Sequence, residues 1–228
     1  MLNTLISIWA LFAGIGLITM GSGLQGTLIG VRAGIEGFSI LATGVVMSCY
    51  YGGFFLGSKL APKLVSRVGH IRAFAAFTSL ASATVLLHAV FLTPVIWGMI
   101  RVVTGFAYAG LFVVAESWLN DFSTNRIRGR LLSTYMAVQH GGFFCGQFFL
   151  SLGNPEGFNL FVLISVLLSV ALIPILTTVT PAPPFEFYTP VHIRKLYEIS
   201  PLGVFGAMGA GMGQGAFWGL GAVYAQKT

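Results

Sequence analysis

Arg101 stands inside an apolar run, Val95–Ala115, about 9 Å along a helix from Val95. A cation at that depth in a lipid-spanning segment is costly and faces a water-filled cavity or a partner. Its chemistry would be to hold an anion or to tune a proton carrier, since a guanidinium does not give up its own proton. The same residue would also serve as a structural cation bonded to neighbouring helix carbonyls. His140, in the run Leu131–Leu152, is the mid-segment side chain that titrates near neutral pH, His88 lying nearer a helix end. It reads as a proton carrier or substrate donor, or else as an interhelical hydrogen-bonding group. Gln147 follows two helical turns later on the same face, whereas Gln139 points about 100° away. Gln25 and Gln214 are polar residues in two further apolar runs, both rich in glycine, and would face one shared cavity. Glu116 lies about 22 Å along the axis from Arg101, too far for one salt bridge between them.

These residues do not assemble an enzyme site. The sequence has no Gly-Lys-Ser/Thr phosphate loop. Met20-Gly21-Ser22-Gly23 lacks the first glycine of a membrane serine protease pattern. No carboxylate or histidine pair has metal-ligand spacing. Cys49 and Cys145 sit in apolar runs and read as small buried side chains. No catalytic residue, metal or cofactor is therefore expected.

The elements that must position these groups follow from composition. Of the 228 residues, 56% are hydrophobic and only 8% charged. The mean hydropathy is +0.87. A soluble domain carries about 25% charged residues, so a soluble enzyme, a nucleic-acid-binding domain and a disordered tail are all excluded. The partner implied is a lipid bilayer, not nucleic acid. Seven stretches approach the ~20 apolar residues that cross the hydrocarbon: Leu5–Leu24, Phe38–Gly57, Ala73–Leu92, Val95–Ala115, Leu131–Leu152, Phe158–Thr178 and Leu202–Ala225. The first is too long for a cleaved signal peptide and lacks a basic leader. The reading is an all-α polytopic bundle. Trp97 and Trp118 read as interfacial anchors, and Gly53 with Gly57 as a small-residue packing pair.

Charge sets the expected topology. Lys59, Lys63, Arg67 and Arg72 lie between the second and third runs. Arg126, Arg128 and Arg130 lie between the fourth and fifth, and Arg194 and Lys195 between the sixth and seventh. Only Arg32 and Lys227 fall on the other side. The positive-inside rule then puts the N-terminus in the cytoplasm of a multi-pass protein of the cell (inner) membrane. The sixth connection, 179–201, is long. Pro181, Pro183 and Pro184 rule out a regular helix where it opens, and it then turns charged.

Aligning Gln25-Gly26 with Gln214-Gly215 also matches Gly14 with Gly203, Gly30 with Gly219 and Ala33 with Ala222. A six-helix unit thus begins again near the chain end. Three motifs carry a family resemblance. Arg101-Val102-Val103-Thr104-Gly105 resembles the RxxxG signature of major facilitator superfamily (MFS) transporters. Arg67-Val68-Gly69-His70-Ile71-Arg72 is similar to the end of their signature cytoplasmic loop, and Arg126-Ile127-Arg128-Gly129-Arg130 to the RGR entry of the fifth helix. Ala115-Glu116-Ser117-Trp118-Leu119-Asn120 and Gly69-His70-Ile71-Arg72 resemble the YcaD-like branch. Two departures stand out. Ser66 occupies the place of an acidic loop residue, and the fifth helix lacks the Gly-Pro pair of many drug–proton antiporters.

The resemblance implies an MFS-like bundle with about seven of some twelve helices present. Residues 1–178 would form the N-terminal six-helix bundle, 179–201 a cytoplasmic linker, and 202–228 the first helix of a truncated second bundle. It implies secondary active transport of a small solute by alternating access, with H+ as a coupling ion. Gln25, Arg101, His140, Gln147 and Gln214 would line the pathway. Arg67, Gly69, Arg72, Glu116, Arg128 and Arg130 would form the cytoplasmic gate, with Glu116 latched to Arg67 or Arg72. The competing expectation is a non-transporting truncated protein acting as a regulator or assembly partner.

Overall fold

Apolar runs of this length satisfy their backbone polar groups internally only as helices. The computed structural model, which describes residues 2–177 and 193–225, is accordingly built of helices, with no strand among the described residues. They are α1 (Leu2–Ile35), α2 (Ile40–Val68), α3 (His70–Val90), α4 (Pro94–Phe122), α5 (Arg128–Phe148), α6 (Asn159–Val170), α7 (Leu172–Leu176), α8 (Ile193–Ile199) and α9 (Pro201–Ala225), with a 3-10 turn at Phe149–Leu152. The Pro-rich opening of the sixth connection lies outside the described residues. Its charged end, by contrast, is the short helix α8, carrying an Arg194–Glu198 ion pair one turn apart at 3.3 Å.

Helix ends follow capping chemistry rather than the fall in hydropathy. α1 runs a further eleven residues past Leu24, through Gln25 and Arg32, and stops before Gly37, whose φ of 72° leaves the helical region. Ser39 then caps α2, its side chain accepting from the Ala42 amide. α2 does not end at Gly57 but at Val68, so Lys59, Lys63 and Arg67 lie on a helix rather than in a connection. Gly69, at φ 81°, is the single residue joining α2 to α3. α4 starts with Pro94 at its first turn, a position where no backbone donor is needed. It continues past Ala115, carrying Glu116 and Asp121. The expected sixth helix is two helices, broken at Ala171 close to Pro174.

Among the described residues, five segments are long and apolar enough to cross a membrane: Ile8–Ile35, Ile40–Val68, His70–Val90, Pro94–Phe122 and Asn159–Leu176. α5 is not one of them, because Gln139, His140 and Gln147 and two flanking arginines dilute its apolar face.

Close packing follows from small residues. α2 and α4 run parallel and meet through Gly53, opposite Val102, Gly57, opposite Phe106, and Gly105, opposite Tyr50 and Phe54. α1 and α5 pair in the same way, Gly142 against Thr19 and Gly146 against Met20. α3 lies antiparallel to α4, with Phe77 over Gly110. Ser82 of α3 bonds Ser165 of α6 at 2.7 Å. The main core fills the space between α1, α3, α4 and α6 with Ile15, Ile18, Phe74, Phe77, Leu111, Trp118 and Ile164. Trp118 belongs to this interior, and Trp97 to a second buried cluster with Ile29, Ala33, Val46 and Met47. The two tryptophans are 2% and 0% exposed, which corrects their reading as interfacial anchors. The Trp97 indole N–H donates to the His88 carbonyl at 3.1 Å and also to the Phe91 carbonyl.

Candidate functional site

A cavity of about 450 Å³ opens between α1, α2, α4, α5 and α9. α4 sets its length. Arg101 and Glu116, both on the wall, stand about 22 Å apart along that helix. α2 supplies an aromatic wall, Tyr50, Tyr51 and Phe54, continued by Phe112 of α4 and Phe143 of α5. α1 adds Ser22, Gln25 and Gly26, α5 adds Gln139 and His140, and α9 adds Gly211, Gln214 and Gly215. A second, mostly apolar hollow separates α2 from α9 beside the first and shares Met47, Tyr51, Gly211 and Gly215 with it.

Arg101 is 7% exposed. Its guanidinium lies over the Tyr50 ring, 4.5 Å from the centroid, a cation–π contact. Nη2 approaches Met47 Sδ at 3.9 Å, and the buried Nε has no hydrogen-bond partner among the described residues. Gly105, one helical turn below Arg101, makes this arrangement possible. A Cβ there would stand 2.9 Å from Phe54 N and closer still to the Tyr50 carbonyl, so only glycine lets the α2 backbone bring Tyr50 under the cation. The two fixed members of the RxxxG pattern therefore have separate jobs: one is the cation, the other the space that admits its aromatic neighbour.

Gln25 is 2% exposed, and its Nε2 is buried without a partner among the described residues. His140 is open to the cavity, its Nδ1 2.9 Å from the Met136 carbonyl one turn back. If Nδ1 carries the proton and donates to that carbonyl, Nε2 is left as an acceptor. Gln214 is exposed at the α9 wall. Gln147 is exposed but does not line the cavity. Two turns beyond His140, it lies past the part of α5 that reaches the wall.

The expected latch is not formed. Glu116 makes no salt bridge among the described residues; Oε1 accepts from the Tyr135 hydroxyl of α5 at 3.3 Å, and the carboxylate faces the cavity. Arg67, Arg72, Arg128 and Arg130 are all exposed and likewise make no salt bridge there. Gly69 is exposed as the hinge between α2 and α3. The contact at this end is made by His70 instead. It is fully buried, with Nε2 3.0 Å from Ser117 Oγ and 3.9 Å from Asp121 Oδ2 of α4. The physical reason is helical phase: Glu116 lies on the cavity face of α4, while Ser117 and Asp121 lie on the α3 face. At the opposite end of the bundle, Arg32 pairs with Glu36 at 2.6 Å and donates to the Pro155 and Glu156 carbonyls, tying α1 to the loop before α6.

Sequence reasoning did not single out the aromatic wall. Tyr50 and Phe54 are one turn apart on α2, but aromatic residues in an apolar helix face lipid, core or cavity with the same spacing. Tyr135 likewise carried no signal.

No family model matches the chain. Among curated relatives, an uncharacterized MFS-type transporter YcaD of Escherichia fergusonii is 28% identical over 216 residues, which is 94% of this chain and 56% of that protein. The proteins of the same name from Escherichia coli O45:K1 (strain S88 / ExPEC) and O81 (strain ED1a) are 30% identical over 219 residues, with the same coverage. The chain thus spans little more than half the length of the curated relatives it matches. Over 94% of its length this chain is a relative of proteins named MFS-type transporters, the family that its three motifs resemble.

Proposed function

We propose that this chain is part of a secondary active transporter that moves a small solute across the cell inner membrane by alternating access. The observation that carries the reading is the cavity of about 450 Å³, roomy enough for a small organic molecule, with the buried and uncompensated Arg101 on its wall. The names of the relatives, MFS-type transporters, point the same way. The glycine-mediated contacts of α1 with α5 and of α2 with α4 would let helix pairs move as units when the cavity changes its access. The arrangement of basic residues supports a cytoplasmic N-terminus.

The coupling ion of this reading is H+. Two protonatable groups line the same cavity as Arg101, Tyr50 and Tyr51: His140 on α5 and, at the far end of α4 from Arg101, Glu116. Protonation of either would change the charge that the solute meets. The gate is assigned to the end of the bundle that carries Arg67, Gly69, Arg72, Arg128 and Arg130, with His70 against α4 as its fixed point. The test is counterflow or uptake in proteoliposomes with and without an imposed pH gradient. Uptake that ignores the gradient removes proton coupling. A His140→Ala protein that transports like the parent removes the role given to His140. Absence of counterflow for every probe removes the transport reading itself.

A further inference from the structure

The polar atoms left unmatched on the cavity wall share one character. Arg101 has five N–H donors in a planar fork. One nitrogen approaches a thioether, itself a weak acceptor, the π face is covered by Tyr50, and Nε has no partner among the described residues. Gln25, on the facing helix α1, buries an Nε2 that donates to no described residue. The missing atoms are therefore acceptors, and the net charge they must balance is positive. No carboxylate of the described residues pairs with Arg101. Glu116, the acidic residue on this wall, is about 22 Å away along α4. Beside the cation the wall is aromatic: Tyr50, Tyr51 and Phe54, one turn or less apart on α2.

We propose that the solute is a small aromatic monoanion. Its carboxylate takes the Arg101 fork and the Gln25 amide, and its ring lies along Tyr50, Tyr51 and Phe54. A guanidinium matches two coplanar oxygens with two parallel bonds, which fixes the orientation of the anion as well as its sign. The other charged and titratable groups on the wall fit this placement. Glu116 repels the carboxylate from the far end, and His140 and Gln139 of α5, with Gln214 of α9, remain for the body of the ligand. The proposal rests on reading this cavity as the solute site.

The experiment uses the full chain in detergent and tritiated 2-naphthoate in a scintillation proximity assay. Unlabelled 2-naphthoate, 2-naphthamide and 2-naphthylmethylammonium are the competitors. Naphthoate is expected to compete about tenfold better than the amide, and the ammonium not at all. Arg101→Gln is expected to weaken binding by about tenfold or more, and Arg101→Lys by less. Gln25→Leu is expected to weaken it about threefold, and it preserves the cation should Arg101→Gln fail to give a monodisperse protein. Equal competition by the three compounds, stronger competition by the ammonium, or no saturable naphthoate binding overturns the proposal. So does parent-like binding by monodisperse Arg101→Gln and Gln25→Leu proteins. Dioctanoyl phosphatidylglycerol is expected not to compete; displacement by it would make a lipid headgroup the occupant and also overturn the proposal. Failure of the transport reading is separate: naphthoate binding without counterflow removes transport but not the anion site, whereas counterflow of the ammonium alone does the reverse.

Discussion

Replacing Gly105 by alanine tests how the cation is held. A Cβ at this position would stand 2.9 Å from both Phe54 N and the Tyr50 carbonyl carbon, and closer still to the Tyr50 oxygen. Ordinary carbon contacts lie at about 3.5–4.0 Å, so α2 must retreat from α4 by about 0.5 Å or more. These are backbone atoms of a packed helix and cannot swing away as a side-chain tip would. Overpacking of this kind costs about 1–3 kcal/mol. For a protein of this size that lowers the melting temperature by about 2–12 °C. The shift also draws the Tyr50 ring away from the guanidinium, now 4.5 Å from its centroid. A thiol-reactive fluorophore reads both effects in a Cys145→Ser background. Cys49 sits on the α2 face toward α4, 3.5 Å from where a Gly98 Cβ would be, and should label faster once the helices part. Gly52→Ala is the control, since none of the described residues lies within 4 Å of a Cβ there. If Gly105→Ala melts and labels like Gly52→Ala, then the close approach does not hold the cation's surroundings.

Three further outcomes follow from the same geometry. His70→Ala removes the buried bond to Ser117 and should cost about 1–3 kcal/mol, whereas the exposed neighbour Arg72→Ala should stay within about 0.5 kcal/mol; thermal melts of the two proteins decide it. Arg32→Ala frees the loop at residues 153–158 from α1, so cleavage there by an added protease should quicken about fivefold while the melting temperature moves little; unchanged cleavage would show that the tie is idle. Glu116→Gln removes the carboxylate that faces the cavity while keeping an acceptor for Tyr135, so naphthoate binding should tighten modestly; weaker binding would place the anion at the wrong end.

The helices were legible because a bilayer admits so few backbone solutions. Their ends were less so. Hydropathy falls at Gly57, but the helix needs only backbone bonds and a residue able to end it, so α2 carries Lys59, Lys63 and Arg67 on to Gly69. The polar residues of the cavity stood out for one reason: Arg101, Gln25, His140 and Gln214 are expensive in apolar runs. Gln147 stood out equally, yet it lies beyond the cavity, because helical phase fixes a face but not how far a neighbour extends along it. Glu116 shows the limit of axial reasoning. Distance excluded a bridge to Arg101, whereas choosing between the Arg67 side and the cavity needed the rotation of α4 about its own axis. The aromatic wall was invisible because lipid, core and cavity accept Tyr50 and Phe54 alike.

Transport as proposed requires the cavity to be a water-filled path that reaches Arg101. The direct measurement is the reaction of single cysteines with an anionic, membrane-impermeant methanethiosulfonate in a protein lacking Cys49 and Cys145. Ser22→Cys and Gln139→Cys line the cavity, while Leu87→Cys lies on the outer face of α3, 41% exposed. A thiol reacts as its thiolate, which needs water, so the two cavity positions should react about tenfold faster than Leu87→Cys, and 2-naphthoate should slow them. Equal rates at all three positions, with no protection by naphthoate, would contradict the account.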